Sequence, residues 1–187
     1  YRATGVSFNV AQNEKARRRA AWTTVSSTFL DHDIRALADL SIVQGAADVV
    51  ICTETIEHIL NDQKLMIDIA GCLKPGGRLL MTAPYEHYKA ITPEDDGPFS
   101  TVEDGGHVRR GYTAESYRTL CDGAGLEIED LGFCSGLISQ WLTKALRKLT
   151  AIDYRVGWLA ILPARILPPV LDPLISLTEL WPAYSIT

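Results

Sequence analysis

Residues 47–62 read ADVVICTETIEHILND. Ala47 to Cys52 is an apolar run bounded by Gly45 and by the polar pair Thr53-Glu54. A run of this kind suits a strand buried on both faces, as in a parallel sheet. Downstream, Leu65, Met66, Ile69, Ala70 and Leu73 recur at helical spacing across Asp62 to Leu73. Lys74-Pro75-Gly76-Gly77 is expected to stop that helix, with Gly in a left-handed cap and Pro unable to continue. Arg78 to Ala83 then reads as the next strand. Upstream, Tyr1 to Phe8 alternates and is β-prone, Asn9 is a helix cap, and Ala11 to Trp22 is helical. Val25 to Leu30 is a second strand, leading into a short, partly helical Ile34 to Val43. Residues 84–111 form a polar loop of a length that is usually functional or disordered. Thr113 caps a helix from Ala114 to Ala124, with Ser116 where a capping box has Glu. Gly125 ends it, and Leu126 to Phe133 reads as a strand.

This alternation predicts βαβ units and a doubly wound, mostly parallel α/β sheet. Ligands of such sheets bind beyond the carboxyl ends of the strands. That rule singles out Ser7–Asn9, Asp31–Asp33, Thr53–His58 and Pro84–His107.

The chain has 187 residues, 47% hydrophobic and 22% charged, with a net charge of −5. Those values exclude a disordered tail and a disulfide-dense mini-protein, and argue against nucleic acid as a partner. Cys52, Cys72, Cys121 and Cys134 lack CxxC spacing, so reduced thiols and a cytoplasmic location are expected. No initiating Met or signal-peptide pattern opens the chain, and both ends fall on strand patterns, so a piece cut within a domain is expected. The most apolar stretch, Val156 to Trp181, is interrupted by Pro163, Pro168, Pro169 and Pro173 and carries Arg165, Asp172 and Glu179. No run reaches the ~18 uncharged apolar residues of a membrane span. Residues 1–135 read as a cofactor-binding core, and 136–187 as a helical, apolar cap or substrate region ending in a strand. The latter carries five Lys and Arg against three Asp and Glu, the former 13 against 20. Two readings of 136–187 stay open: helices packed on the sheet, or a lid over a lipophilic substrate or surface in peripheral membrane contact.

Glu54, Glu57 and His58 fall at i, i+3 and i+4, so one helical turn would put them on one face. With His107 from the long loop they form a candidate divalent-metal set suited to Mg²⁺, Mn²⁺ or Fe²⁺. Without metal, His58 or His107 is the candidate general base. Asp33 is either an acceptor for a ligand or the N-cap of the helical segment after it. Arg17-Arg18-Arg19 reads as a solvated helix face. His87, Tyr88 and Tyr85 either line an acceptor site or lie on the loop surface, and Arg109-Arg110 either bind an acidic group or are solvated.

Several stretches resemble class I S-adenosylmethionine-dependent methyltransferases of the small-molecule, type 11-like branch, which includes quinone-biosynthesis enzymes. GVSFNVAQNEKARRRA (5–20) resembles their second strand and helix, and HDIRAL (32–37) the acidic segment after their third strand. ADVVICTETIEHILND and LKPGGRLLMTAP (73–84) resemble the fourth through fifth strands. GHVRRGYTAESYRTLCDGAGLEI (106–128) resembles the part of those enzymes beyond the fifth strand. The resemblance covers roughly residues 1–135. It implies S-adenosylmethionine as cofactor, held by Ser7, Asn9, Asp33, Ile34, Thr53 and Glu54, with Asp33 accepting from the adenine amino group. It implies methyl transfer to a small molecule, most readily at a hydroxyl. The E-x-x-E-H…H spacing resembles small-RNA 2′-O-methyltransferases and implies Mg²⁺ or Mn²⁺ on Glu54, Glu57, His58 and His107. Metal-free relatives also carry an E-H pair here, where it lines the cofactor and starts a helix.

The sequence departs from the family in two places. It has no GxGxG loop, which the resemblance would place ahead of Tyr1, and Ser7 stands where an acidic residue is usual. Both departures keep open a non-catalytic methyltransferase-like binding or scaffold domain. A nicotinamide dehydrogenase fits LKPGG poorly.

Overall fold

The computed structural model describes every residue except Glu179, and every side chain except those of Glu94 and Glu179. Contacts divide the chain into two compact units. The first combines Tyr1–Val50 with Asn61–Leu79, the second Ile51–Leu60 with Leu80–Thr187.

In the first unit, β1 (Arg2–Ser7), α1 (Val10–Ala20) and β2 (Ser26–Asp31) form a βαβ unit. β1 and β2 pair in parallel, with Ser7 opposite Asp31. Asn9 caps α1 by accepting from the Gln12 N–H at 3.1 Å. The buried Asn13 side chain donates to the Ser7 and Leu30 carbonyls and to Asp31, and so ties α1 to both strand ends. A 3₁₀ helix spans Ile34–Asp39, shorter than the expected 34–43, and Asp33 caps it through the Arg35 N–H. In α2 (Asp62–Cys72), Leu65, Met66, Ile69 and Cys72 are buried at the spacing of one helical stripe.

β3 (Ala47–Thr53) and β4 (Leu73–Pro84) each begin in the first unit and end in the second. The helix stops before Lys74–Gly77, which lies inside β4 instead of capping α2, although Gly76 does take the expected left-handed φ, 75°. α2 ends on Leu73, whose φ of −77° and ψ of 142° are already extended. Gly77 serves close approach instead, since a Cβ there would lie 3.0 Å from the Ala47 carbonyl.

In the second unit the strand order is β3-β4-β6-β5, with β5 at Phe133–Cys134 and β6 at Ser185–Ile186. β6 runs antiparallel to both neighbours, so this edge of the sheet is mixed. The strand expected over 126–133 shrinks to β5, because pairing with the β6 segment reaches back only as far as Gly132, whose N–H and carbonyl bond Thr187. α3 (Ala114–Gly123) carries the expected cap, with Thr113 and Ser116 bonding reciprocally. α4 (Leu137–Ile152), α5 (Tyr154–Ile161), a 3₁₀ turn over Leu162–Ile166 and α6 (Pro168–Ser176) complete the unit. Buried Ile56, Met81, Tyr112, Tyr117, Leu120 and Ile186 form its core.

Candidate functional site

The carboxyl end of β3 enters a tight turn. Glu54 sits at φ 47°, Thr55 at φ −133° and ψ −43°, and a single 3₁₀ turn spans Ile56–His58. That break overturns the expected helical face shared by Glu54, Glu57 and His58. Glu54 turns away instead, and its Oε1 accepts from Thr82 and Ser185 hydroxyls, each at 3.0 Å. Glu57, His58 and His107 do come together, their ligand atoms all within 4.8 Å of one another.

Hydrogen bonds from the 84–111 loop bring His107 to the turn. Val108 N–H donates to the Glu57 carbonyl at 2.9 Å. Leu60 N–H donates to Glu103 at 2.6 Å, and Arg109 donates to the Ile59 and Leu60 carbonyls. Arg109 is therefore a structural clamp, where the sequence left it as a solvated residue or an anion binder. The rings of His58 and His107 meet edge to face at 4.6 Å.

Glu57 has no solvent exposure, and neither carboxylate oxygen finds a hydrogen-bond donor among the described residues. Its Oε1 faces Nε2 of His58 at 3.6 Å and Nε2 of His107 at 3.8 Å. Desolvation pushes its pKa up to about 7, and the charge of Glu54 adds to that. Nδ1 of His58 lies 3.0 Å from the Gly106 carbonyl. A carbonyl only accepts, so Nδ1 carries the proton and the Nε2 lone pair points toward Glu57. Burial, then the neighbouring His58 and Arg147, hold His107 below the ordinary imidazole range and so neutral. Three electron-pair donors thus converge, an arrangement that suits a shared proton or a divalent ion.

The remaining expected ligands sit as follows. In the first unit the Ser7 hydroxyl accepts from Asn9 N–H at 3.1 Å. The Asp33 carboxylate is gripped by the backbone and guanidinium of Arg35, which hold its pKa below the usual carboxylate range. The N-cap role of Asp33 is thereby occupied, and Ile34 opens the 3₁₀ helix. In the second unit Thr53 ends β3 and its carbonyl accepts from the Thr55 hydroxyl. Ser7 and Asp33 lie at the carboxyl-end side of a parallel strand pair and offer acceptors to N–H and hydroxyl donors. That donor set is compatible with the nucleoside half of S-adenosylmethionine. Tyr88, read as lining a site or exposed, is buried with its hydroxyl on the Asp95 carbonyl. Sequence reasoning missed Tyr117, whose buried hydroxyl finds no partner among the described residues. Only its place on the buried face of α3 signalled it.

The sequence profile of a family described as a methyltransferase domain matches residues 1–131. A ubiquinone biosynthesis O-methyltransferase of Coxiella burnetii is 25% identical over 87 residues, which is 46% of this chain and 36% of that protein. The alignment thus spans about a third of the length of the curated relatives it matches. Among solved structures, a methyltransferase candidate of Bacillus halodurans superposes with a TM-score of 0.57 at 17% identity, over 77% of this chain and 62% of that one. An S-adenosylmethionine-dependent methyltransferase of Mesorhizobium loti gives 0.50 at 19% identity, over 70% of this chain and 66% of that one. These structural likenesses bear on architecture, and the architecture is the Rossmann-like α/β fold expected from the strand and helix alternation.

Proposed function

The chain belongs to the methyltransferase-domain family, and on that premise we propose that it moves a methyl group from S-adenosylmethionine to a hydroxyl of a small molecule with an apolar portion. S-adenosylmethionine supplies the electrophilic methyl. Ser7, Asn9, Asp33, Ile34, Thr53 and Glu54 are the groups we assign to its binding. A hydroxyl is a poor nucleophile until it loses its proton, so the acceptor end needs a base. The observation that carries the reading is the fully buried, donor-free Glu57 carboxylate facing two imidazole nitrogens. His58 is pre-set by Gly106 to take a proton at Nε2, and Glu57 stabilises the imidazolium that results. His107, held neutral, is the second acceptor.

The same donor set supports a second reading. Two imidazoles and one carboxylate match the ligand preferences of Mg²⁺, Mn²⁺ or Fe²⁺, with Glu54 outside the set. Such an ion would supply Lewis-acid activation of the acceptor hydroxyl. The thiols of Cys52, Cys72 and Cys121 are buried and form no disulfide, which suits the cytoplasmic location we assign.

Methylation of a panel of phenols and amines by the full-length protein that carries this chain, as wild type, Glu57→Gln, His58→Ala and His107→Ala, with and without EDTA, tests the assignment. Hydroxyl acceptors should be turned over, and Glu57→Gln should lose at least about a hundredfold in kcat, the scale of general acid–base catalysis. Loss on EDTA selects the metal reading. Preference for amines, or full activity of all three variants, would overturn the proposal.

A further inference from the structure

Tyr154–Ser176 is built with its polarity reversed. In a water-bathed helix the apolar stripe faces the protein and the other face is polar. In α5, Gly157 and Ile161 are the buried positions and face α4. The contact is close, since a Cβ on Gly157 would lie 2.7 Å from the Thr150 nitrogen. The opposite side of α5 is apolar as well: Val156 is 60% and Leu159 72% exposed. The 3₁₀ turn after it leaves Ile166 72% exposed, and α6 leaves Val170 and Leu174 outside. The charged residue of α6, Asp172, points inward instead. Its carboxylate accepts from the N–H groups of Gly136, Ile138 and Ser139 and from the Ser139 hydroxyl. Charge is thus spent holding α4, while aliphatic side chains meet the solvent.

Two further features say what covers this face. No single helix among the described residues is long and apolar enough to cross a membrane. Tyr154–Ile166 and Pro168–Ser176 reach that length and apolarity only when taken together, across a bend of 54°. An elbow of that shape suits shallow seating, not crossing. The surrounding charge is also one-sided. Residues 136–187 carry five Lys and Arg against three Asp and Glu, whereas the rest of the chain is net negative. Asp172 is buried and Asp153 is engaged in capping α5. The elbow itself carries exposed Arg155 and Arg165, with exposed Asp153 just ahead of α5 and exposed Arg147 and Lys148 near the end of α4. Arg165 lies over the Trp158 ring at 5.2 Å, a cation–aromatic pair with an apolar body and a charged tip.

We propose that the α5–α6 elbow seats in the headgroup region of an anionic lipid bilayer, with Leu159, Ile166 and Leu174 in the acyl boundary and Arg155 and Arg165 on the phosphates. A bilayer fits better than a second copy of this chain, because Arg155, Arg165 and the exposed aliphatic face lie on the same elbow. A second copy would set like charge against like charge there, while anionic headgroups complement the cations directly. The inference does not depend on methyl transfer, since its test uses neither cofactor nor acceptor.

The test is co-sedimentation of the whole chain with vesicles of phosphatidylcholine and phosphatidylglycerol at a ratio of about 7:3. Binding is expected, weaker by about tenfold on pure phosphatidylcholine or in ~0.5 M salt. Leu159→Glu with Ile166→Glu should abolish binding and leave the circular dichroism melt in place, since both side chains are already solvated. Arg155→Glu with Arg165→Glu, which removes no apolar surface, should lose only the anionic preference. Quenching of tryptophan emission by brominated lipid should accompany wild-type binding. Absence of wild-type sedimentation would overturn the proposal. So would a dimer in sedimentation equilibrium that the Leu159→Glu, Ile166→Glu pair dissociates, because a second copy would then be the occupant.

Discussion

Nε2 of His58 lies 3.6 Å from Oε1 of Glu57, a carboxylate with no solvent exposure and no hydrogen-bond donor among the described residues. The distance is too long for a hydrogen bond and too short for indifference. The pair gains stability from any positive charge placed between its atoms, a proton at low pH or a cation at high pH.

Stability should accordingly follow the charge state of Glu57. Burial raises its pKa from 4.5 to about 7 in the folded chain. A raised value means the folded state holds the proton more tightly than the unfolded one. The favourable contribution is full below about 4.5 and is lost as pH climbs through about 7. The loss amounts to about 3 kcal/mol for a shift of this size. Glu57→Gln cannot ionise, so it should gain on the wild type between about pH 5 and pH 8 in urea unfolding. Parallel pH profiles for the two proteins would show that Glu57 is not the buried acid described here.

A divalent ion should reverse that loss. At about pH 8, Mn²⁺ at about 100 times its Kd should raise the free energy of unfolding by about 2.7 kcal/mol. His58→Ala, His107→Ala and Glu57→Gln should each remove the effect. Glu54→Gln should keep it, because Glu54 is bonded to Thr82 and Ser185 and stands outside the cluster. Thermal melts with Mn²⁺ and with EDTA decide this, and an effect lost with Glu54 but not with His107 would refute the three-residue set.

Asp172→Ala should cost about 3 kcal/mol in urea unfolding, because it strands backbone donors at the start of α4. The N–H groups of Gly136, Ile138 and Ser139 all donate to this one carboxylate. Asp172→Asn keeps one acceptor oxygen and should recover roughly half. Equal losses in the two variants would mean that helix capping is not what Asp172 contributes.

Gly111→Ala should destabilise by more than about 2 kcal/mol, since a Cβ there would lie 2.2 Å from the Pro84 carbonyl oxygen. That carbonyl also accepts from Tyr112 N–H at 2.8 Å, so the clash falls where the loop rejoins the end of β4. An unchanged melting temperature would show that this junction is slack.

The sequence by itself determined the βαβ succession, the parallel pairing of β1 and β2, the strand at Ala47–Cys52, the helix opening at Asp62 and the Thr113–Ser116 cap. Each is a local matter of apolar period, chain direction or side-chain-to-backbone bonding over three residues. The Glu57, His58 and His107 set was also legible, as acid and imidazole types in the right places. Tertiary structure decided the rest. Leu126–Ile128 reads as strand, yet a strand forms only where the β6 segment arrives to pair, from Gly132 to Cys134. Glu54 has metal-ligand spacing, yet its φ of 47° sends it to Thr82 and Ser185. Ser185 lies 131 residues away in sequence. The same holds for Gly106, whose carbonyl sets which nitrogen of His58 is free. Spacing along a chain says which side chains are able to meet; hydrogen-bond partners supplied from distant segments settle which way each one turns.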